Sequence, residues 1–219
     1  MEKQTMNHLS VDDVKQMLLY VGETITASKD YLGQIDAEIG DGDHGTGMAT
    51  GAEAFMKKLR ESEFETINDV FKTTGMEMMK SMGGASGIIF GTMFSDGVKQ
   101  LESKSSIDHT GLADIFRGSL DSVKKRGKAD VGDKTMIDAL DPAVQTLESD
   151  ASKEWTLTEV LKHAEEAAWN GVEETKQITA KHGRAKTLGE RTKGYQDAGA
   201  TSVWLIFKSM REWVEQHEG

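Results

Sequence analysis

IDAEIGDGDHGTG, residues Ile35 to Gly47, admits two incompatible architectures, because Gly40, Gly42 and Gly45 satisfy G-x-G-x-x-G. A dinucleotide fingerprint needs a strand before those glycines and a βαβ unit around them. The preceding residues read as a helix instead. Val11, Val14, Leu18, Val21 and Ile25 recur at three and four behind Ser10, which suits an N-cap. Asp41 and Asp43 would also repel an unscreened pyrophosphate. The Rossmann reading is therefore rejected and the chain reads as all-α.

The same helical spacing recurs along the 219 residues. Thr66 opens a segment through Val70, Met78 and Met79, with Asp69 placed for a capping box. Thr110 opens another through Leu112, Ile115, Phe116, Leu120 and Val123, closed by Gly127. The longest follows Thr156 or Thr158 through Leu161, Ala164, Ala168, Val172, Thr175 and Ile178, and ends at Gly183. Val203, Phe207, Met210 and Val214 mark the last. With segments near 46 to 60, 86 to 101 and 133 to 149, the expectation is an up-and-down bundle of eight antiparallel helices. Pro142 should kink or restart the sixth. Gly87 to Phe94 is the best strand candidate but also reads as a helix, and Trp204 and Trp213 are expected in the core.

Composition is even and nothing marks a linker, so residues 1–219 read as one domain. With no Cys there are no disulfides, thiolate zinc sites or Cys nucleophiles. The N-terminal MEKQTMNHLS lacks the apolar core of a signal peptide, and no stretch is apolar enough to span a bilayer. A cytoplasmic protein is the simple reading. The 37 acidic and 26 basic residues give a formal charge of −11, which disfavours nucleic acid and anionic membrane.

Four glycine-rich connections carry the chemistry: Gly40 to Gly47, Gly83 to Gly87 (GGASG), Arg126 to Thr135 (RGKADVGDKT) and Gly183 to Ser202 (GRAKTLGERTKGYQDAGATS). They follow the first, third, fifth and seventh helices, so an up-and-down bundle gathers them at one rim. Asp36, Asp41 and Asp43 are hard oxygen ligands suited to Mg²⁺ or Ca²⁺, and Mg²⁺ commonly takes one or two carboxylates plus phosphate. The plain alternative is a solvated Asp-Gly turn. An EF-hand fails, because its twelfth position counted from Asp41 is Ala52. GGASG precedes a helix, whose free N–H groups favour an anion, and Ser86 adds a hydroxyl. Neither a G-x-x-x-x-G-K-[ST] loop nor the protein-kinase motif set occurs. Arg184, Arg126 and Lys128 are the candidate cations, and His44 could donate to a phosphate or carry one.

Taken together, IDAEIGDGDHG, TGMEMMKSMGGASG with FGTMF, RGKADVGDKTM, and GRAKTLGER followed by GYQDAGATS resemble the ADP-binding L subunit of dihydroxyacetone kinase, DhaL, over essentially the whole chain. The resemblance implies a barrel of eight antiparallel helices with a nucleotide at one rim. It implies that Asp36, Asp41 and Asp43 hold two Mg²⁺ on the phosphates of a tightly kept ADP/ATP. Nucleotide contacts carry over to His44, Gly45, Thr46, Gly47, Ala85, Ser86, Gly127, Met136, Arg184, Asp197, Ala198 and Gly199.

By the same resemblance, the γ-phosphoryl passes to dihydroxyacetone held by a histidine of a separate K subunit, so no catalytic residue is expected here beyond the metal and nucleotide site. An M-type phosphotransferase subunit would rephosphorylate the bound ADP from phosphoenolpyruvate; relatives that use free ATP fuse the L and K domains. Members of the family often carry Asn at Gly47 and Pro at Ala198, departures that would loosen ADP. Fatty acid kinase domains resemble DGDTGTNM in the first loop, and His44 sides with dihydroxyacetone kinase. Three other readings fit: an ATP-exchanging subunit for dihydroxyacetone or another small ketose, a metal-dependent binding or regulatory module without catalysis, and a His44 phosphocarrier. The sequence leaves a homodimer open.

Overall fold

The periodicity behind Ser10 becomes helix α1 (Val11–Ala27), opened by a capping box in which the Ser10 hydroxyl accepts from the Asp13 N–H and the Asp13 carboxylate accepts from the Ser10 N–H. The structure is a computed structural model that describes residues 6–150 and 155–218. Residues 1–5, part of the segment expected to lack a signal peptide core, lie outside the described residues. Eight further α-helices follow among the described residues: α2 (Lys29–Ile39), α3 (His44–Arg60), α4 (Ile67–Met82), α5 (Gly84–Ser95), α6 (His109–Gly127), α7 (Ile137–Asp150), α8 (Leu157–Thr175) and α9 (Ala198–His217). A short 3-10 helix, Arg184–Thr192, lies between the last two.

The chain is thus mostly helical, with nine α-helices among the described residues rather than the expected eight. The additional one is α2, whose eleven residues bury only Leu32 and Ile39, too few for a periodic signal. Contacts close into a ring: α1 packs on α3, each helix from α3 to α8 packs on the next, and α9 packs on both α8 and α1. α2 leans on α3, outside this ring. One apolar core runs through the ring, with Phe55, Phe71, Phe94, Phe116 and Phe207 fully buried.

Several boundaries move for identifiable reasons. Asp108, not Thr110, caps α6, because its carboxylate accepts the Gly111 N–H at 2.9 Å. Thr156 caps α8 with Glu159 completing the box. α8 stops at Thr175 rather than running on to Gly183; the chain tightens there into three-residue bonds, with the Ile178 N–H on the Thr175 carbonyl, which also accepts from the buried Lys134 ammonium. Pro142 lies inside α7 without restarting it, and the Asp138 carbonyl it leaves without a helical donor packs against Gly171 of α8. Gly87 to Phe94 is helical, within α5. Trp213 is buried as expected, but Trp204 is only half-buried and lies against Trp169 of α8 with ring centroids 4.7 Å apart.

Alternate connections of the ring serve different ends. Two-residue strands β1 (Leu9–Ser10) and β2 (Ser106–Ile107) pair antiparallel, tying the start of α1 to the segment before α6. Lys15 reaches the Ser62 carbonyl, and Asn68 the carbonyls of Val98 and Leu101. The other set, which leads into α3, α5, α7 and α9, meets around one cavity. No helix of the described residues is long and apolar enough to cross a membrane.

Candidate functional site

The cavity, about 730 Å³, is lined from all four of those connections, and its size is ordinary for a small-molecule or cofactor site. Asp36 projects from the last turn of α2, and Asp41 and Asp43 from the turn that follows. One carboxylate oxygen from each lies within 4.8 Å of the others. The turn is held by backbone contact: Gly42 has φ +75, and a Cβ on Gly45 would lie 2.0 Å from the Lys29 carbonyl oxygen and 2.6 Å from the Gly33 nitrogen. Only glycine lets the start of α3 come so close to α2.

Three clustered carboxylates need positive charge. Arg184, at the start of the 3-10 helix, puts its guanidinium 2.9 Å from Asp41 and 3.9 Å from Asp43. Burial, joined by the Asp41 carboxylate beside it, pushes the Asp43 carboxyl above its ordinary value. Helix N-termini add further positive potential, and α3 and α5 start at residues whose side chains make no capping bond. In α3 the His44 N–H donates to the Asp36 carboxylate at 3.3 Å, and the remaining first-turn N–H groups of the two helices face an anion between the carboxylates on one side and the GGAS turn on the other. The hard oxygen donors and their spacing fit a divalent cation such as Mg²⁺, and the open N–H groups fit its phosphate ligand.

Of the residues singled out in the sequence, Asp36, Asp41, Asp43, His44, Thr46, Gly47, Ala85, Ser86, Met136, Arg184, Asp197, Ala198 and Gly199 all line this one cavity. Gly45 and Gly127 do not. Gly45 sits behind the turn as a packing contact, and Gly127 backs Ile89, whose Cδ1 a Cβ there would meet at 3.5 Å. Arg126 and Lys128 are exposed and off the lining, so Arg184 is the sequence-nominated cation that reaches the site.

His44 is buried, with Nε2 2.8 Å from the Ser202 hydroxyl of α9, and burial lowers its pKa. It is a neutral strut between α3 and α9. Sequence reasoning missed Lys134 and Thr135 in GDKT, His182, and the apolar wall of Met82, Ile89 and Phe90. Nothing local marks them, since a lysine in a glycine-containing turn is ordinarily solvated.

Asp197 caps α9, its carboxylate accepting the Ala200 N–H at 2.8 Å. It keeps some surface on the cavity but is hemmed in by protein, and burial raises its pKa from 3.8 to about 7, with Asp138 and Asp36 adding to the rise. A raised carboxyl favours the fold when protonated. Its contribution is full below about pH 4 and is lost as pH rises through about 7. Asp197→Asn keeps the cap without the charge. In EDTA, urea unfolding should show the variant gaining on the native chain by about 2 to 4 kcal/mol between those limits, and a gap constant with pH would contradict the assignment.

Comparisons with known proteins bear on the family and the fold. The DAK2 domain model matches residues 38–212. The chain is 40% identical over 189 residues to the ADP-binding subunit DhaL of PEP-dependent dihydroxyacetone kinase 1 of Listeria innocua, covering 86% of this chain and 89% of that one. It is 36% identical over 202 residues to the Escherichia coli PEP-dependent dihydroxyacetone kinase subunit DhaL, covering 92% and 96%. The dihydroxyacetone kinase of C. freundii superposes with TM-score 0.72 at 28% identity in its native form, and 0.70 at 26% in complex with AMP-PNP and Mg²⁺. Either alignment covers 91% of this chain but only about a third of that longer kinase. A domain model that matches most of the chain, and relatives matched nearly end to end, establish that the chain belongs to the DAK2 domain family, alongside the DhaL subunits.

Proposed function

We propose that residues 1–219 form one nucleotide-carrying domain, the ADP-binding subunit of a cytoplasmic dihydroxyacetone kinase. It would relay a phosphoryl group from an M-type phosphotransferase partner to dihydroxyacetone held on a K subunit. The observation that carries this reading is the meeting of three carboxylates with two helix N-termini whose own N-cap side chains make no capping bond, on one cavity. In this proposal Asp36, Asp41 and Asp43 would hold two Mg²⁺, and the first-turn N–H groups of α5, with those of α3 beyond His44, would bind the phosphate oxygens. When bound, the cations neutralise the charge that spreads over the phosphoryl oxygens during transfer.

Arg184 would exchange its bond to Asp41 for one to phosphate, a move its exposed position allows. Ile89, Phe90, Met82 and Met136 supply an apolar wall for the base and ribose. His44 orients the start of α3 against α9. The chain contributes binding and alignment, which phosphoryl transfer chiefly requires, and the acceptor's nucleophile is activated elsewhere.

Purification followed by nucleotide analysis tests the relay. About one ADP per chain should survive gel filtration in Mg²⁺ and leave in EDTA, and a trace of this protein should sustain phosphoenolpyruvate-dependent transfer beside K and M partners. A protein that purifies empty and consumes free ATP with its K partner alone would instead support ATP exchange.

A further inference from the structure

Lys134 is the residue that the mechanism leaves unexplained. It is only 2% exposed and adopts φ 60, the left-handed region that a non-glycine residue enters at a cost. Burying an ammonium is costly as well, and such combined strain persists where the surrounding structure requires it, commonly at functional sites. Its Nζ donates to two main-chain carbonyls: Thr175, which ends α8, and Tyr195, two residues before the cap of α9. The Thr175 hydroxyl in turn accepts the Asp197 N–H at 2.9 Å. On the other side, the Asp138 carboxylate collects the Gly132 and Thr135 N–H groups at 2.6 and 2.7 Å, winding the turn so that the lysine points inward. Asp197 and Asp138 both act electrostatically on the ammonium.

The segments so joined form one side of the cavity. Met136 follows two residues after the lysine, and a Cβ on Gly199 would lie 3.5 Å from both the Met136 nitrogen and its Cβ, so these two residues are neighbours on the wall. The carboxylate trio belongs to α2 and the turn before α3, to which Lys134 makes no hydrogen bond among the described residues.

We infer that Lys134 is a positioning residue that staples the end of α8 to the start of α9 and sets the wall of Met136, Ala198 and Gly199 against which the nucleoside half of the ligand rests. The inference depends on the nucleotide reading above. It separates the two halves of the site: nucleotide affinity depends on Lys134, and cation binding at the aspartates does not.

The test measures Mg·ADP affinity by calorimetry and Mn²⁺ binding without nucleotide by water-proton relaxation. Lys134→Met should weaken Mg·ADP about tenfold or more and leave Mn²⁺ binding within about twofold. The chain has no native cysteine, so Lys134→Cys can be aminoethylated in denaturant and refolded. That adduct should recover native affinity within about threefold, whereas an S-propyl adduct of the same size should not. Thr175→Val, which removes only the hydroxyl that receives the Asp197 N–H, should weaken Mg·ADP about threefold and keeps the idea testable if Lys134→Met does not fold.

Unchanged ADP affinity in the folded variants, a parallel loss of Mn²⁺ binding, or equal recovery with the uncharged adduct would each overturn the inference. A native chain that binds neither probe would overturn the nucleotide reading itself, and this inference with it.

Discussion

Asp41→Asn is expected to lose Mg²⁺-dependent ADP binding and phosphoryl transfer by a factor on the order of 10³, the equivalent of several kcal/mol of cation stabilisation. The variant should nonetheless fold as well as the native chain. Removing one charge relieves repulsion within a trio whose oxygens lie within 4.8 Å of one another, while it forfeits the Arg184 contact at 2.9 Å. Both are surface effects worth at most about 1 kcal/mol, and they oppose each other. Calorimetric titration with ADP, with and without Mg²⁺, alongside urea unfolding in EDTA, separates the two properties. Native-like ADP affinity in the variant would remove the aspartates from the site, and a collapse of stability would assign them to the fold.

Gly45→Ala is expected to be the most damaging single-methyl change near the cavity. The added carbon would sit 2.0 Å from the Lys29 oxygen and 2.6 Å from the Gly33 nitrogen. Both are backbone atoms, so no side chain can turn aside to make room. The start of α3 must then leave α2, at a cost of about 3 kcal/mol, and the separation of Asp36 on α2 from Asp43 before α3 grows with it. Urea unfolding should show the loss, and Mn²⁺ binding should fall in the same sample. Gly47→Ala is the control two residues on: its nearest neighbour would be the flexible Met82 Cε at 3.9 Å, and stability there should hold within about 0.5 kcal/mol.

Much of this was legible because its causes are local. Ser10 and Thr156 announce their helices through side chains that bond three residues on, and the spacing of apolar residues reports the ring's inner faces. The four glycine connections could be assigned to one end by parity alone, and α2 does not disturb that count because it sits outside the ring. What escaped has long-range causes. The end of α8 at Thr175 is held by a lysine 41 residues earlier, which donates to its carbonyl. Asp108 and Thr110 are both credible caps, and only the fold selects one. Lys134 looks like any surface lysine until Asp138 and the ends of α8 and α9 close around it. Gly45 could be read as part of a ligand loop, but its close approach to Lys29 emerges only when α2 folds back on α3.

The paired indoles of Trp169 and Trp204 offer an optical consequence. They bridge α8 and α9 with centroids 4.7 Å apart, and α9 begins on the cavity wall with Ala198 and Gly199. Chromophores this close, here with planes tilted by 53°, couple as transition dipoles, so their signal depends steeply on mutual angle. Any tilt of the last helix as its first turn meets a ligand is thereby translated into near-ultraviolet ellipticity, and the polypeptide carries its own unlabelled spectroscopic gauge of occupancy.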